Sequence, residues 1–104
     1  MADLTQEEWA DQLANDDNAV ILDVRTDDEV DQGYIPNAKH IDIYLGEEFV
    51  KQVDALDKSK TYYVYCRSGM RSAKACAIMN QLGFENTYNL LGGFMDWAGD
   101  IVEP

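Results

Sequence analysis

The sequence predicts an α/β fold: one domain, residues 1–104, with a mainly parallel central sheet flanked by helices on both faces. Three observations lead there. Ala19-Val20-Ile21-Leu22 is a continuous apolar run, too short for a helix and suited to a strand buried on both faces. Thr61 to Tyr65 is β-branched and aromatic, the composition of a second strand. Around these runs lie segments whose apolar residues recur at helical spacing, and strands alternating with helices make a parallel sheet.

Each element has its own local reason. Thr5-Gln6-Glu7-Glu8 is a capping box, with Leu4 and Trp9 placed as a hydrophobic staple, so a helix is expected from about Gln6 to Ala14. Asn15 to Asn18 is a polar turn, and the apolar run that follows ends in Asp23-Val24-Arg25. Thr26-Asp27-Asp28-Glu29 is a second capping box, opening a helix of about two turns that Gly33 can close. Tyr34-Ile35-Pro36-Asn37-Ala38 reads as a turn, and His40-Ile41-Asp42-Ile43 alternates like a short edge strand. Phe49, Val50, Val53 and Leu56 give Glu47 to Leu56 a helical face, and Asp57 to Lys60 ends it. Beyond the second strand, Ala75, Cys76, Met79 and Leu82 mark a helix that stops at Gly83. Phe84 to Leu90 contains another strand, and Gly92-Gly93 turns the chain into a last short helix, Phe94 to Ala98.

Composition narrows the function. A net charge of −12 argues against nucleic acid and anionic membranes as partners. No run approaches the ~20 apolar residues of a membrane span, and the first residues have neither a basic nor an apolar leader region, so a cytoplasmic protein is expected. Two cysteines ten residues apart suit neither a disulfide framework nor a zinc site, so no metal or cofactor is expected.

The chemistry concentrates in Tyr63 to Ala73, YVYCRSGMRSA. A strand delivers Cys66; Arg67, Ser68, Gly69, Met70 and Arg71 form a loop; Ser72 opens the Ala-rich helix. A strand, a tight loop and a helix N-terminus together make an anion site, because loop N–H groups and the unpaired N–H groups of the helix can converge on one spot. Two of only eight basic residues sit here, and with the helix end they favour the thiolate over a free thiol of pKa ~8.5. Gly69 fits a position of close backbone approach or positive φ. Asp23 and Arg25 end a strand that should neighbour the loop. The i,i+4 spacing of Arg25 and Glu29 suits equally a surface ion pair or a loop-supporting network. His40, the only histidine, is assigned no role. Cys76 lies ~7 Å along the helix from its start, too far for an unstrained disulfide with Cys66, and is expected to pack in the core.

The chain resembles the rhodanese-like family in its single-domain form. The resemblance is carried by Leu22-Asp23-Val24-Arg25 with Glu29, Gly33-Tyr34-Ile35-Pro36-Asn37-Ala38, Cys66-Arg67-Ser68-Gly69-Met70-Arg71-Ser72, Gly83-Phe84, and Leu91-Gly92-Gly93-Phe94 with Trp97. The chain departs from the family at Tyr34, usually His; at Asn37, usually Gly; and at Met70, commonly Asn. The resemblance implies a sulfurtransferase of the thiosulfate type, in which Cys66 takes a sulfane sulfur from thiosulfate or a persulfide donor and passes it to cyanide, a thiol or a sulfur-accepting protein. Arg67 is the preferred substrate contact and Arg71 the brace of the loop. In the family the positions of Asp23 and Arg25 mainly brace the site.

Other functions use related parts. A protein-to-protein persulfide carrier or a non-catalytic regulatory binding module would keep the fold, but a pure binding module gains nothing from a reactive thiol. Phosphatases and arsenate reductases also place a cysteine in an anion-binding loop. The related cysteine phosphatases space it C-x5-R, however, and Cys66 to Arg71 is the shorter C-x4-R.

Overall fold

Strands β1 (Ala2–Leu4), β2 (Ala19–Asp23), β3 (Lys39–His40), β4 (Thr61–Tyr65) and β5 (Thr87–Leu90) form one parallel sheet in the order β1-β5-β4-β2-β3. Helices α1 (Gln6–Ala14), α2 (Asp27–Val30), α3 (Glu47–Asp54) and α4 (Met70–Gln81) connect them. This computed structural model describes residues 2–103, so the two end positions of the expected 1–104 domain lie outside it.

The pleat of β4 organises the interior. Tyr62 to Tyr65 are all buried, and successive side chains point to opposite faces. Tyr63 and Tyr65 face α1, where Trp9 meets both rings edge-on at 5.8 and 6.3 Å and donates its indole N–H to the Tyr88 carbonyl. Tyr62 and Val64 face the other way, into a core with Phe49 and Val53 of α3 and Ala75, Cys76 and Met79 of α4. The same alternation puts Cys66, the next residue on that face, against the start of α4.

Both capping boxes form, Thr5 with Glu8 and Thr26 with Glu29. Several expected boundaries move. Strand β1 had no counterpart in the sequence reading; it exists because Leu4 and its neighbours pair with β5 at the far end of the chain. Helix α2 is a single turn of four residues rather than about two turns. The edge strand is Lys39–His40, not His40 to Ile43, because the Asp42 side chain accepts the Tyr44 N–H and winds Ile43–Leu45 into a 3-10 turn. The final helix is likewise a 3-10 turn, Phe94–Asp96. Asn37, at a position where glycine is usual in the family, has φ 69, a conformation Asn tolerates better than other side-chain-bearing residues.

Candidate active site

Helix α4 starts at Met70, two residues earlier than expected, so only Arg67, Ser68 and Gly69 form the loop proper. Met70, Arg71 and Ser72 lie in the first helical turn. Ser72 looked like the residue that opens the helix, but that place belongs to Gly69, with φ 99. A β-carbon there would stand 3.1 Å from the Leu90 carbonyl, so the left-handed turn and the close approach both require glycine.

The loop is held from behind. The N–H of Phe94 donates to the Cys66 carbonyl and the N–H of Met95 to the Arg67 carbonyl, each at 2.9 Å. The Gly69 carbonyl accepts from Ala73 N–H and from the Asn89 amide. With these carbonyls drawn outward, the N–H groups are free to face the sulfur. Gly69 N–H reaches Cys66 Sγ at 3.1 Å, and the Ser72 hydroxyl lies 3.3 Å from it.

Burial works to raise the Cys66 thiol, and the Ser72 hydroxyl and the N–H groups of Ser72, Gly69 and Ser68 outweigh it, so its pKa lies below the ordinary value. Two of these residues, Gly69 and Ser72, belong to the start of α4. The arginines were expected to share this effect, but they are not its main source. Arg67 is exposed, and Arg71 is held by Glu29 in a two-pronged pair at 2.6 and 2.8 Å. Arg71 chiefly, helped by Thr26, holds the Glu29 carboxyl down at about 2, so the pair survives until the pH falls from the ordinary carboxylate range toward that value. Among the described residues Arg67 makes no ion pair.

The alkylation rate of Cys66 against pH should therefore show a midpoint below ~8.5, and Ser72→Ala should raise it by roughly one unit. Because the folded value lies below the unfolded one, the thiolate stabilises the fold above ~8.5, and that contribution is lost as pH falls through the folded value. A wild-type midpoint at or above the free-thiol value would contradict the hydrogen-bond account.

Asp23 and Arg25 form a buried pair, with Nη2 to Oδ2 at 2.7 Å and Nε to Oδ1 at 3.0 Å. The surface Arg25–Glu29 pair does not form, since Arg25 precedes α2 and helical spacing does not apply to it. Its guanidinium instead donates to the Gly33 carbonyl and lies 4.3 Å over the ring of Phe94, whose N–H holds the Cys66 carbonyl. His40 donates Nε2–H to the Arg25 carbonyl. Cys76 is buried in α4, and burial pushes its thiol up to about 12.

Two residues were not foreseen from the sequence in these roles: Asn89, which is buried and bonded to Ser72, and Gly93, whose lack of a β-carbon leaves room for the Cys66–Arg67 backbone. Two clefts flank the loop. One of 430 Å³ is lined by Arg25, Glu29, Gln32, Arg67, Phe94 and Met95, the other of 330 Å³ by Ile43, Tyr44, Met70, Arg71 and Lys74. A larger cleft of 650 Å³ between α1 and Pro36 holds no nucleophile and lies away from the cysteine. Among the described residues, no cluster suited to a metal and no helix long and apolar enough to cross a membrane is present.

A strand-end cysteine bonded by a helix start is shared by unrelated chemistries, and comparison with known proteins narrows the choice. A Bacillus subtilis protein named as a sulfurtransferase is 42% identical over 85 residues, 82% of this chain and 79% of its own. A sulfurtransferase of Allochromatium vinosum is 33% identical over 96 residues, covering 92% and 87%. A tRNA uridine(34) hydroxylase of Legionella pneumophila is 36% identical over 103 residues, 96% of this chain but 40% of that protein. The crystal structure of a rhodanese-like domain protein from Staphylococcus aureus superposes with TM-score 0.84 at 31% identity, covering 100% of this chain and 99% of that one. The family model of the rhodanese-like domain matches residues 6–100, and the chain belongs to the rhodanese-like family.

Proposed function

We propose that the protein is a sulfurtransferase that moves a sulfane sulfur from thiosulfate or a persulfide donor to a thiophilic acceptor, cyanide or a thiol, through a Cys66 persulfide. The observation that carries this is the nucleophile's surroundings: a depressed thiol bonded by Gly69 N–H and close to the Ser72 hydroxyl, with no histidine or carboxylate among its hydrogen-bond partners within the described residues to act as a base. Attack of a thiolate on sulfur needs charge stabilisation and no proton transfer. The Cys66 thiolate attacks the outer sulfur of thiosulfate; the S–S bond breaks, and sulfite leaves with its electron pair. The new persulfide carries its charge on the terminal sulfur. An acceptor nucleophile then takes that sulfur and the Cys66 thiolate leaves.

Arg67 is the substrate contact in this reading, being the loop arginine with no ion-pair partner among the described residues. Arg71, held by Glu29, braces the loop, and Asp23 and Arg25 brace it through Phe94. Cys66 itself has no exposed surface, so side chains at the mouth, among them the exposed Arg67 and Met70, must move to admit a donor.

Phosphate ester hydrolysis fits poorly. The six residues from Cys66 to Arg71 are one short of the C-x5-R ring, and Arg71 is committed to Glu29. A donor ring mismatched by ~1 Å forfeits much of its effect on developing charge. Intact-mass measurement after incubation with thiosulfate should find one added sulfur, removed again by cyanide. One preparation assayed for thiosulfate-to-cyanide transfer and for aryl-phosphate hydrolysis should show the first and not the second. Phosphate release rivalling sulfur transfer would overturn the reading.

A further inference from the structure

Behind the nucleophile, the Ser72 hydroxyl leads on to polar groups, Asn89 and Asp3, that the reaction above does not use. The Ser72 hydroxyl, fully buried, is close to two acceptors, Cys66 Sγ at 3.3 Å and Asn89 Oδ1 at 2.5 Å, and it owns one proton. Asn89 is 1% exposed. Its amide cannot be turned around, because Nδ2 donates to the Asp3 carboxylate at 2.9 Å and to the Gly69 carbonyl at 3.1 Å, and neither could receive an oxygen in its place. Oδ1 must therefore face Ser72. Asp3 stands opposite Asn89 in the β1–β5 ladder, so the edge strand aims the amide.

We propose that Asn89 is a positioning residue for Cys66: it competes with the sulfur for the single hydroxyl proton of Ser72, and Asp3 fixes the amide in the orientation that makes the competition possible. The contest is resolved by the charge on Sγ. While Cys66 is a thiolate, the hydroxyl turns toward Sγ and leaves Asn89 Oδ1 without a donor. Once the outer sulfur is attached, Sγ is a neutral, two-bonded atom, and the hydroxyl turns back to Asn89. No bond to hydrogen breaks; the O–H rotates. Asn89 thereby limits how far Ser72 stabilises the thiolate, which keeps the sulfur basic enough to attack.

The other charged and titratable groups around the sulfur are the Arg71–Glu29 pair with Tyr44 and Lys74 beside it, the exposed Arg67, and the Asp23–Arg25 pair behind Phe94. The test changes none of them. Asn89→Leu, close to isosteric, removes the competitor, and the alkylation midpoint of Cys66 should fall by roughly one pH unit. A merely structural role predicts the opposite, since a loosened loop loses donors and the midpoint rises. Ser72→Ala should raise the midpoint, and Ser72→Ala with Asn89→Leu should match Ser72→Ala alone. A rise in Asn89→Leu, or a shift that persists without the Ser72 hydroxyl, would overturn the proposal. Should Asn89→Leu fail to fold, Asp3→Ala, at an exposed position, serves in its place: a smaller fall is expected, absent in the Ser72→Ala background. A fall that survives there is the Asp3 charge acting directly, and overturns it equally.

The consequence for turnover rests on the sulfur-transfer reading above. Well above the midpoint, loading of Asn89→Leu from thiosulfate should slow ~3-fold while unloading to cyanide quickens, as a less basic thiolate is a poorer nucleophile and a better leaving group. Alkylation needs no sulfur donor, so the positioning role and the sulfur-transfer reading can fail separately.

Discussion

Cys66→Ser is expected to stay folded, to take up no sulfur from thiosulfate and to bring thiosulfate-to-cyanide transfer down to background. Serine fits the space, and its oxygen can still accept the Gly69 N–H, so the stability change should be ~1 kcal/mol. What is lost is the chemistry, because an alcohol is not ionised at working pH and the N–H groups and Ser72 cannot shift it far enough. Cys76→Ala is the matched control. Its thiol, pushed up to about 12, stays protonated at neutral pH and sits in the core among Ala75 and Met79. The variant should lose ~1–2 kcal/mol from an unfilled volume and keep its persulfide. If a folded Cys76 variant were as inactive as the Cys66 variant, sulfur would have to pass through both cysteines, and the single-nucleophile mechanism would be wrong.

Gly93→Ala should damage the site more than any other small-to-small change. A β-carbon on Gly93 would stand 2.4 Å from the Arg67 carbonyl oxygen, 2.5 Å from its carbon and 2.7 Å from the Cys66 carbonyl oxygen. All three are backbone, so none can swing aside. With φ at 60 as well, the substitution adds backbone strain to overlap, and a loss of about 2–5 kcal/mol is expected. The turn can relieve this only by drawing the Phe94 and Met95 N–H groups off the Cys66 and Arg67 carbonyls, which frees the loop to rotate its own N–H groups away from the sulfur. The alkylation midpoint should rise with the fall in stability. Gly46 separates the two causes: its φ is 63, but its β-carbon would meet nothing within 4 Å. Gly46→Ala should cost only the backbone strain of that conformation, about 1–3 kcal/mol by denaturant unfolding, and leave the midpoint unchanged. Equal losses from the two glycines would show that φ alone, and not contact with the loop, is at stake.

What was legible in the sequence is what is written locally. Thr5 with Glu8 and Thr26 with Glu29 satisfy helix N–H groups within three residues, so both helix starts could be placed. The β2 and β4 runs need no distant partner to be recognised. The misses are long-range. Ala2–Leu4 carries no strand pattern and becomes a strand through pairing with Tyr88 to Leu90. Asn89 reads as one more residue of a strand, because its meaning lies in Ser72, Gly69 and Asp3, all distant in sequence. The start of α4 misleads for a different reason. Ser72 has the chemistry of a helix-opening residue, but its hydroxyl is engaged by the sulfur and Asn89, and a left-handed glycine opens the helix without side-chain help. Arg25 and Glu29 show that spacing is informative only inside a helix: four residues apart, they turn to different partners, Asp23 and Arg71.

The outer strands of the sheet have a bearing on how the protein behaves in company. β1 has three residues and β3 two, against five in β2 and β4. A border strand with its backbone groups unpaired is a template on which another chain can add itself, and its reach grows with its length. Here the apolar, aromatic β4, the segment best suited to stack into a cross-β ribbon, is enclosed two strands deep on each side. The borders that remain open are too brief to seed such growth, and molecules carrying a net charge of −12 repel one another before their edges meet. Crowding at high concentration should therefore endanger this protein chiefly through unfolded chains, in which β4 is laid bare.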